Sequence, residues 1–176
     1  MTAPRLGRAA RIRAEEPGDR AGVRAVNVAA FETPAEADLV EALRAQARPL
    51  VSLVAEEGGA IVGHIMFSPV TLPGHPTLTL MGLAPMAVAP ARQRAGIGSA
   101  LAAAGLAACA RLGADAVVVL GHPGYYPRFG FAPGVRMGLG CEYDVPAEAF
   151  MVLELRPGAL RGATGPVQYH AAFASL

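Results

Sequence analysis

Residues 88–99 read Val-Ala-Pro-Ala-Arg-Gln-Arg-Ala-Gly-Ile-Gly-Ser, and they put an apolar strand, a glycine-containing loop and a helix start in direct succession. That junction constrains the fold more than any other stretch of the chain. The first backbone N–H groups of a helix have no intrahelical partner, and the helix dipole is positive there. Gly96 and Gly98 carry no β-carbon to hold an anion away from those amides, and Arg94 adds a full positive charge. A pyrophosphate fits this description. Two other phosphate loops are excluded. A Walker loop needs Gly-Lys-Ser/Thr and the chain has no Lys; a dinucleotide fingerprint needs a third Gly where Leu101 stands. Gly-x-Gly alone also suits a merely flexible loop entering a helix.

The flanking pattern is α/β in order. Residues 11–14 read as a strand ended by Glu16-Pro17-Gly18, and Asp19 is placed to cap a helix with Val23, Val26 and Ala30 at helical spacing. Thr33-Pro34-Ala35-Glu36 has the form of a capping box with Pro at the first helical position; it opens a helix whose inner face is Leu39, Val40 and Leu43. Residues 51–56 and 60–68 read as strands joined by a tight turn at Gly58-Gly59. An apolar strand is expected over 77–88. Pro85 removes one amide donor within it and so marks a bulge or the end of pairing. A helix follows over 96–112 with Ile97, Leu101, Ala104, Ala108 and Leu112 inward, then a buried strand over 116–120. A helical turn near 125–129 and strands near Phe131 and over 150–155 complete the body. With no repeat and no dividing linker, the expectation is a tail over 1–10 and one domain over 11–176.

A chain of 176 residues, 53% hydrophobic, can bury a substantial core. All 15 basic residues are Arg, they are scattered, and the net charge is only +1, which argues against an electrostatic nucleic-acid binder. Cys109 and Cys141 are too few for a disulfide framework or a four-ligand zinc site, so no metal is expected, and a reduced, cytoplasmic protein is. The apolar stretches 78–91 and 95–110 are broken by Pro85, Pro90 and glycines and fall short of the ~18 uninterrupted apolar residues of a membrane span. Residues 1–10 lack the apolar core of a secretory signal.

Gln93-Arg94-Ala95-Gly96-Ile97-Gly98 resembles the Gln/Arg-x-x-Gly-x-Gly/Ala acyl-CoA signature of the GNAT superfamily, and Val88-Ala89-Pro90 resembles the Val-x-Pro before it. Tyr126-Pro127-Arg128-Phe129-Gly130-Phe131 resembles the family's Tyr-x-x-φ-Gly-Phe element. The order of elements over 11–160 is similar too, and residues 119–131 and 149–155 look like the bacterial YhbS-like branch. The resemblance implies the GNAT acyl-CoA N-acyltransferase fold, an α/β (α+β) mixed central sheet with splayed strands flanked by helices.

It also implies a site. Acetyl-CoA would lie in a V-shaped cleft, with the amides of Arg94, Ala95, Gly96, Ile97, Gly98 and Ser99 on its pyrophosphate. The backbone of Met86, Ala87 and Val88 would pair with the pantetheine arm, and an amide near Val88 would polarise the thioester carbonyl. Tyr126 takes the place of the general acid. A phenol titrates near ~10 and a free thiol near ~8.5, so donation to the leaving thiolate is mildly uphill. Tyr125 beside it reads as a core tyrosine. The general base stays open, because 77–88 holds no carboxylate or His. Candidates are Glu32, Glu36, Glu57, Glu142, Asp144, His64 and His122, of which Glu36 is explained by its capping box and His122 is near Tyr126 in sequence. Val119 stands where many relatives carry a pantetheine-contacting Asn. Both cysteines read as packed thiols, since the family's transfer is direct.

The implied activity is acetyl transfer from acetyl-CoA to a primary amine on a small molecule or peptide. The missing strand carboxylate favours a different class, a non-catalytic acyl-CoA-binding module, whereas Tyr126 favours the enzyme. Residues 31–49 and 136–144 are where such folds set acceptor specificity, and Glu142, Asp144 and Glu148 read as a solvated loop. A homodimer is expected to form, if at all, through 167–173 as an added edge strand.

Overall fold

The computed structural model describes residues 9–176, so the expected tail lies outside the described residues up to residue 8. The core is a seven-stranded sheet in the order β1-β2-β3-β4-β5-β8-β6. Its strands are β1 (Arg11–Ala14), β2 (Val51–Glu57), β3 (Ala60–Val70), β4 (Leu80–Val88), β5 (Ala116–Leu120), β6 (Ala132–Pro133) and β8 (Phe150–Glu154). Neighbours are antiparallel except β4 and β5, which run parallel and are linked by the crossover helix α3 (Ile97–Arg111). A small parallel pair, β7 (Leu139–Cys141) with β9 (Gly165–Val167), stands beside the sheet.

Period-two alternation divides β3 between two helical layers. Ile65 and Phe67 face α3 in one cluster with Leu101, Leu106 and Cys109. Met66 faces the other side, in a cluster with Val23 of α1 (Arg20–Phe31) and Leu39, Val40 and Leu43 of α2 (Ala35–Gln46). His64, on that same side, is buried between two polar partners. Its Nδ1 accepts from Asn27 Nδ2 at 3.1 Å and its Nε2 lies 3.0 Å from Ser52 Oγ. Ser52 in turn meets Glu15, which pairs with Arg44 of α2. This chain of contacts seats α1 and α2 on β2 and β3.

The helix α3 lies unusually close to the sheet. A β-carbon on Gly105 would stand 2.2 Å from the Phe67 ring, and one on Gly63 would stand 3.0 Å from both Ile97 and Leu101. The inward face is therefore Ile97, Leu101, Ala102, Gly105, Leu106 and Cys109. Of the expected face, Ile97 and Leu101 are buried, Ala104 and Ala108 lie at its margin, and Leu112 is exposed. Alanine carries too little contrast to mark a face, and Gly105 is inward because the Phe67 ring needs the room.

Two expected caps are replaced by tertiary contacts. Asp19 precedes α1, but its carboxylate accepts from Arg13 at 2.6 and 2.9 Å and from the Glu16 amide at 2.7 Å, with no side-chain cap bond. Pro34 rather than Thr33 holds the N-cap position of α2, and Thr33 Oγ1 instead donates to Glu36 Oε2 at 3.2 Å. The strand expected from residue 77 begins at Leu80; Thr79 N donates to Asp115 Oδ2 at 2.8 Å and turns the chain into β4. Residues 167–173 are occupied within the molecule. Gln168 bridges Thr71, and a 3-10 helix over Ala171–Ser175 packs Phe173 on α2. The bulge expected at Pro85 is present: Ile65 pairs with Met86 and Phe67 with Leu83, so Ala84 and Pro85 together oppose Met66.

Gly105→Ala should destabilise the fold by about 1–3 kcal/mol, because the fully buried Phe67 ring has nowhere to go and overpacking outweighs alanine's helix preference. Urea denaturation checks it. The second expectation concerns pH. Arg13, with help from the Glu16 amide, lowers the Asp19 carboxyl from 3.8 to about 2. That stabilises the native state above about pH 4 and is lost as pH falls towards 2. Asp19→Asn should accordingly be less stable than the parent at neutral pH, with the gap closing in acid.

Candidate active site

β4 and β5 are paired from Leu80↔Ala116 to Leu83↔Val119 and then part. Pro85 has no amide to continue the ladder. β5 turns instead towards β8, through Leu120↔Phe150 and the Gly121 amide on Ala149 O at 3.0 Å. The last residues of β4 therefore have β3 on one side and an open cleft on the other. Ala89 N donates to Val62 O at 2.8 Å, and antiparallel ladders alternate, so Ala87 lies in hydrogen-bonded register with His64. The amides of Met86 and Val88 are turned to the cleft, and Ala87 is not. Only two of the three strand residues expected at the cleft present their backbone to it. The Val88 carbonyl accepts from Gln93 Nε2 at 3.1 Å.

At the cleft's outer end the chain makes a short 3-10 turn over Pro90–Arg92 and enters α3. Arg94 and Gly96 adopt φ of 62° and 85°, which folds the loop back over the helix axis. The first intrahelical bond runs from Ala100 N to Gly96 O at 3.0 Å, and none of the amides of residues 94–99 donates to another loop carbonyl. A cavity of about 430 Å³ opens above them, lined by Met86, Val88, Arg94, Gly98, Tyr125 and Arg128. The two glycines act differently from expectation. A β-carbon on Gly96 would meet nothing, so its requirement is the positive φ; one on Gly98 would approach Tyr125 Oη, Met86 and Val88, the cavity's own walls. Gly98 is the residue whose missing side chain leaves the space. The side chain of Ile97 is buried under the helix, so only its amide is available.

Charge around the cavity is arranged by pairing. Arg92 is held by Glu57 of β2 at 2.5 and 3.0 Å, whereas the guanidinium of Arg128 lies 4.2 Å above the Tyr125 ring. Tyr125 Oη is 3.0 Å from Ser99 Oγ. Tyr125 thus belongs to the wall of this cavity, and sequence reasoning missed both it and Arg128. The signal was their i, i+3 spacing on the turn that carries Tyr126 (Tyr126–Phe129), which brings them to one side.

Tyr126 faces the inner end of the cleft. Its ring packs edge-on against Tyr125 and Phe131, with centroids 5.0 and 5.7 Å away, and Gly121 is bare because a β-carbon would stand 2.3 Å from that ring. Burial, and to a lesser degree Tyr125, pushes the phenol up to about 12, so it stays protonated well past neutrality. A second cavity of about 320 Å³ is lined by Glu36, Leu83, Met86, Leu120, His122 and Tyr126. Of the seven base candidates, Glu36 and His122 thus share Tyr126's cavity. His64 is buried on the α1 side and driven down to about 3 by desolvation and by Arg44. Glu57 is committed to Arg92, and Glu142 Oε1 accepts from the Tyr169 amide at 2.6 Å. Glu32 ends α1 and is exposed, as is Asp144. Cys109 is buried in α3, and desolvation raises its thiol to about 12, which leaves little thiolate. Among the described residues no group of three or more His, Cys, Asp or Glu could hold a metal, and no helix is long and apolar enough to cross a membrane.

Residues 20–131 match the acetyltransferase (GNAT) family. The chain is 39% identical to the N-acetyltransferase YhbS of Escherichia coli K12 over 163 residues, 92% of this chain and 97% of YhbS. It is 40% identical to the N-acetyltransferase YjhQ of the same organism over 137 residues, 76% of each. Among solved structures, E. coli YhbS in complex with CoA superposes with a TM-score of 0.89 at 38% identity, covering 99% of this chain and 96% of that one. A GNAT acetyltransferase from Brucella melitensis in complex with acetyl-CoA gives a TM-score of 0.76 at 41% identity, covering 93% and 97%. The mixed, splayed sheet expected from the sequence is the fold these proteins share.

Gly98→Leu should weaken acetyl-CoA binding about tenfold or more, by filling the cavity above the helix amides, while leaving thermal stability near the parent's. Calorimetric titration with acetyl-CoA checks it; unchanged affinity would place the phosphates elsewhere.

Proposed function

The chain belongs to the acetyltransferase (GNAT) family, and from that premise we propose that it moves an acetyl group from acetyl-CoA to a primary amine by direct attack in a ternary complex. The observation that carries the reading is a single cleft with two working ends. Unpaired amides and Arg94 stand at one end, a protonated Tyr126 with Glu36 and His122 at the other, and the free backbone of Met86 and Val88 runs between them.

In this reading the pyrophosphate rests on the amides of Arg94, Ala95, Gly96, Ile97, Gly98 and Ser99, beneath Tyr125. The pantetheine extends β4 as an added strand through Met86 and Val88, displacing the Gln93 side chain from the Val88 carbonyl. The thioester carbonyl oxygen then lies near the Met86 amide and not that of Val88, because Met86 lines both cavities whereas Val88 lines only the phosphate end, and that amide stabilises the oxyanion as charge develops. The amine nitrogen attacks the carbonyl carbon. As the C–N bond forms, an N–H proton passes to Glu36 or His122, the proton-accepting side chains on that cavity. The C–S bond breaks, the thiolate takes the Tyr126 proton, and the phenol is reprotonated from solvent. At about 12, Tyr126 is a weaker acid than the free phenol assumed from sequence. The thiolate leaves into the same desolvated space, which raises its proton affinity as well, so the mismatch is reduced. Glu36 and His122 on the Tyr126 cavity offer the proton acceptor that β4 lacks, which favours the enzyme over a coenzyme-binding module without catalysis.

Tyr126→Phe should lower kcat by about 100-fold or more without changing the Kd for acetyl-CoA, as expected for loss of a general acid. Release of CoA thiol under saturating acetyl-CoA and amine is the measurement; turnover at the parent rate would remove Tyr126 from the chemistry. With the phenol near 12, the parent's kcat should show no falling limb up to about pH 10.

A further inference from the structure

A third cavity, of about 320 Å³, adjoins the Tyr126 cavity and shares Leu83, Ala84, Leu120 and Leu176 with it. Its outer wall comes from parts of the chain far apart in sequence: Tyr143 and Val145 of the loop after β7, with Tyr169 and Phe173 of the segment after β9. The three rings form a continuous surface. The Tyr143 and Tyr169 centroids are 5.8 Å apart, and those of Tyr169 and Phe173 are 5.1 Å apart. That surface is fixed from behind, since Gly82 leaves room for the Tyr169 ring and the Tyr169 amide is bonded to Glu142 Oε1. Among the described residues, no charged side chain lines this space. Glu142, Asp144 and Glu148, close by in sequence, are exposed and do not line it.

We propose that this cavity receives the non-reacting part of the acceptor, and that the acceptor is a primary amine carrying a compact apolar or aromatic group. The inference rests on the acetyl-transfer reading, because the shared Leu83, Ala84, Leu120 and Leu176 place the cavity's mouth where the amine must reach Tyr126. Its volume lies at the small end of the ~300–1,000 Å³ that small-molecule sites occupy, which suits one ring or a short branched chain and not an extended sugar. A polyamine or a second ammonium group would be desolvated against three aromatic rings and the aliphatic side chains of Leu83, Ala84, Leu120, Val145 and Leu176, with no carboxylate side chain among the lining residues to meet it. The wall selects by what it lacks.

The test compares phenethylamine, spermidine and ethanolamine as acceptors at saturating acetyl-CoA, reading CoA release as kcat/KM. Phenethylamine should exceed each of the others at least tenfold, the scale on which an apolar pocket discriminates. Val145→Asp places a carboxylate in the wall and should cut kcat/KM for phenethylamine at least tenfold and raise that for spermidine, with acetyl-CoA affinity unchanged. Tyr143→Ala, at a more exposed position, should raise KM for phenethylamine with little change in kcat. A parent preference for spermidine or ethanolamine, or variants that leave the ranking untouched, would overturn this inference and leave acetyl transfer standing. No CoA release with any of the three would likewise overturn this inference, whereas no binding of acetyl-CoA in a calorimetric titration would overturn the acetyl-transfer reading itself.

Discussion

The organising constraint is the parting of two parallel strands. β4 and β5 share a ladder for four residues and then separate, because Pro85 offers no amide and β5 already has β8 to turn to. A sheet that stayed closed would bury the backbone of Met86 and Val88 in pairing. Opened at this point, it presents two amides to the cleft that are free to pair with a ligand carrying matching acceptors. The same parting brings the start of α3 to one end of the gap and the turn bearing Tyr126 to the other. Phosphate cradle, strand edge and phenol are thus consequences of one break in one ladder.

What the sequence disclosed follows from how local each signal is. The turn at Gly58-Gly59, the bulge at Pro85 and the loop into α3 are written in residues whose backbone freedom is unusual, and such residues act on their immediate neighbours. The caps misread because a competing partner came from elsewhere: Arg13 takes the Asp19 carboxylate, and Thr33 meets the side chain of Glu36 and not an amide. Reading Glu36 as a capping residue hid its place on the Tyr126 cavity. The inward face of α3 was obscured because seven of its fifteen residues are Ala, which packs equally well on either side.

The site divides along the same line. The amides of residues 94–99 and Tyr126 were legible from motifs, since each motif is contiguous. Tyr125 and Arg128 needed only the geometry of a short turn to be found. Tyr169 and Phe173 were beyond reach of any local argument. They arrive at the acceptor cavity because Gln168 bridges Thr71 and the chain folds back over β4, a contact spanning nearly a hundred residues (Thr71 to Gln168) that no periodicity announces.

The seating of α3 has a further consequence. With Gly105 against Phe67 and Gly63 under Ile97 and Leu101, the helix has no slack in which to rock or slide on the sheet. Its amino end is held in place before any ligand arrives, so an incoming diphosphate meets donors already aligned and spends no free energy on recruiting them. Entry at that end should resemble a key meeting a finished lock, whatever adjustment the opposite, loop-built end of the cleft still makes.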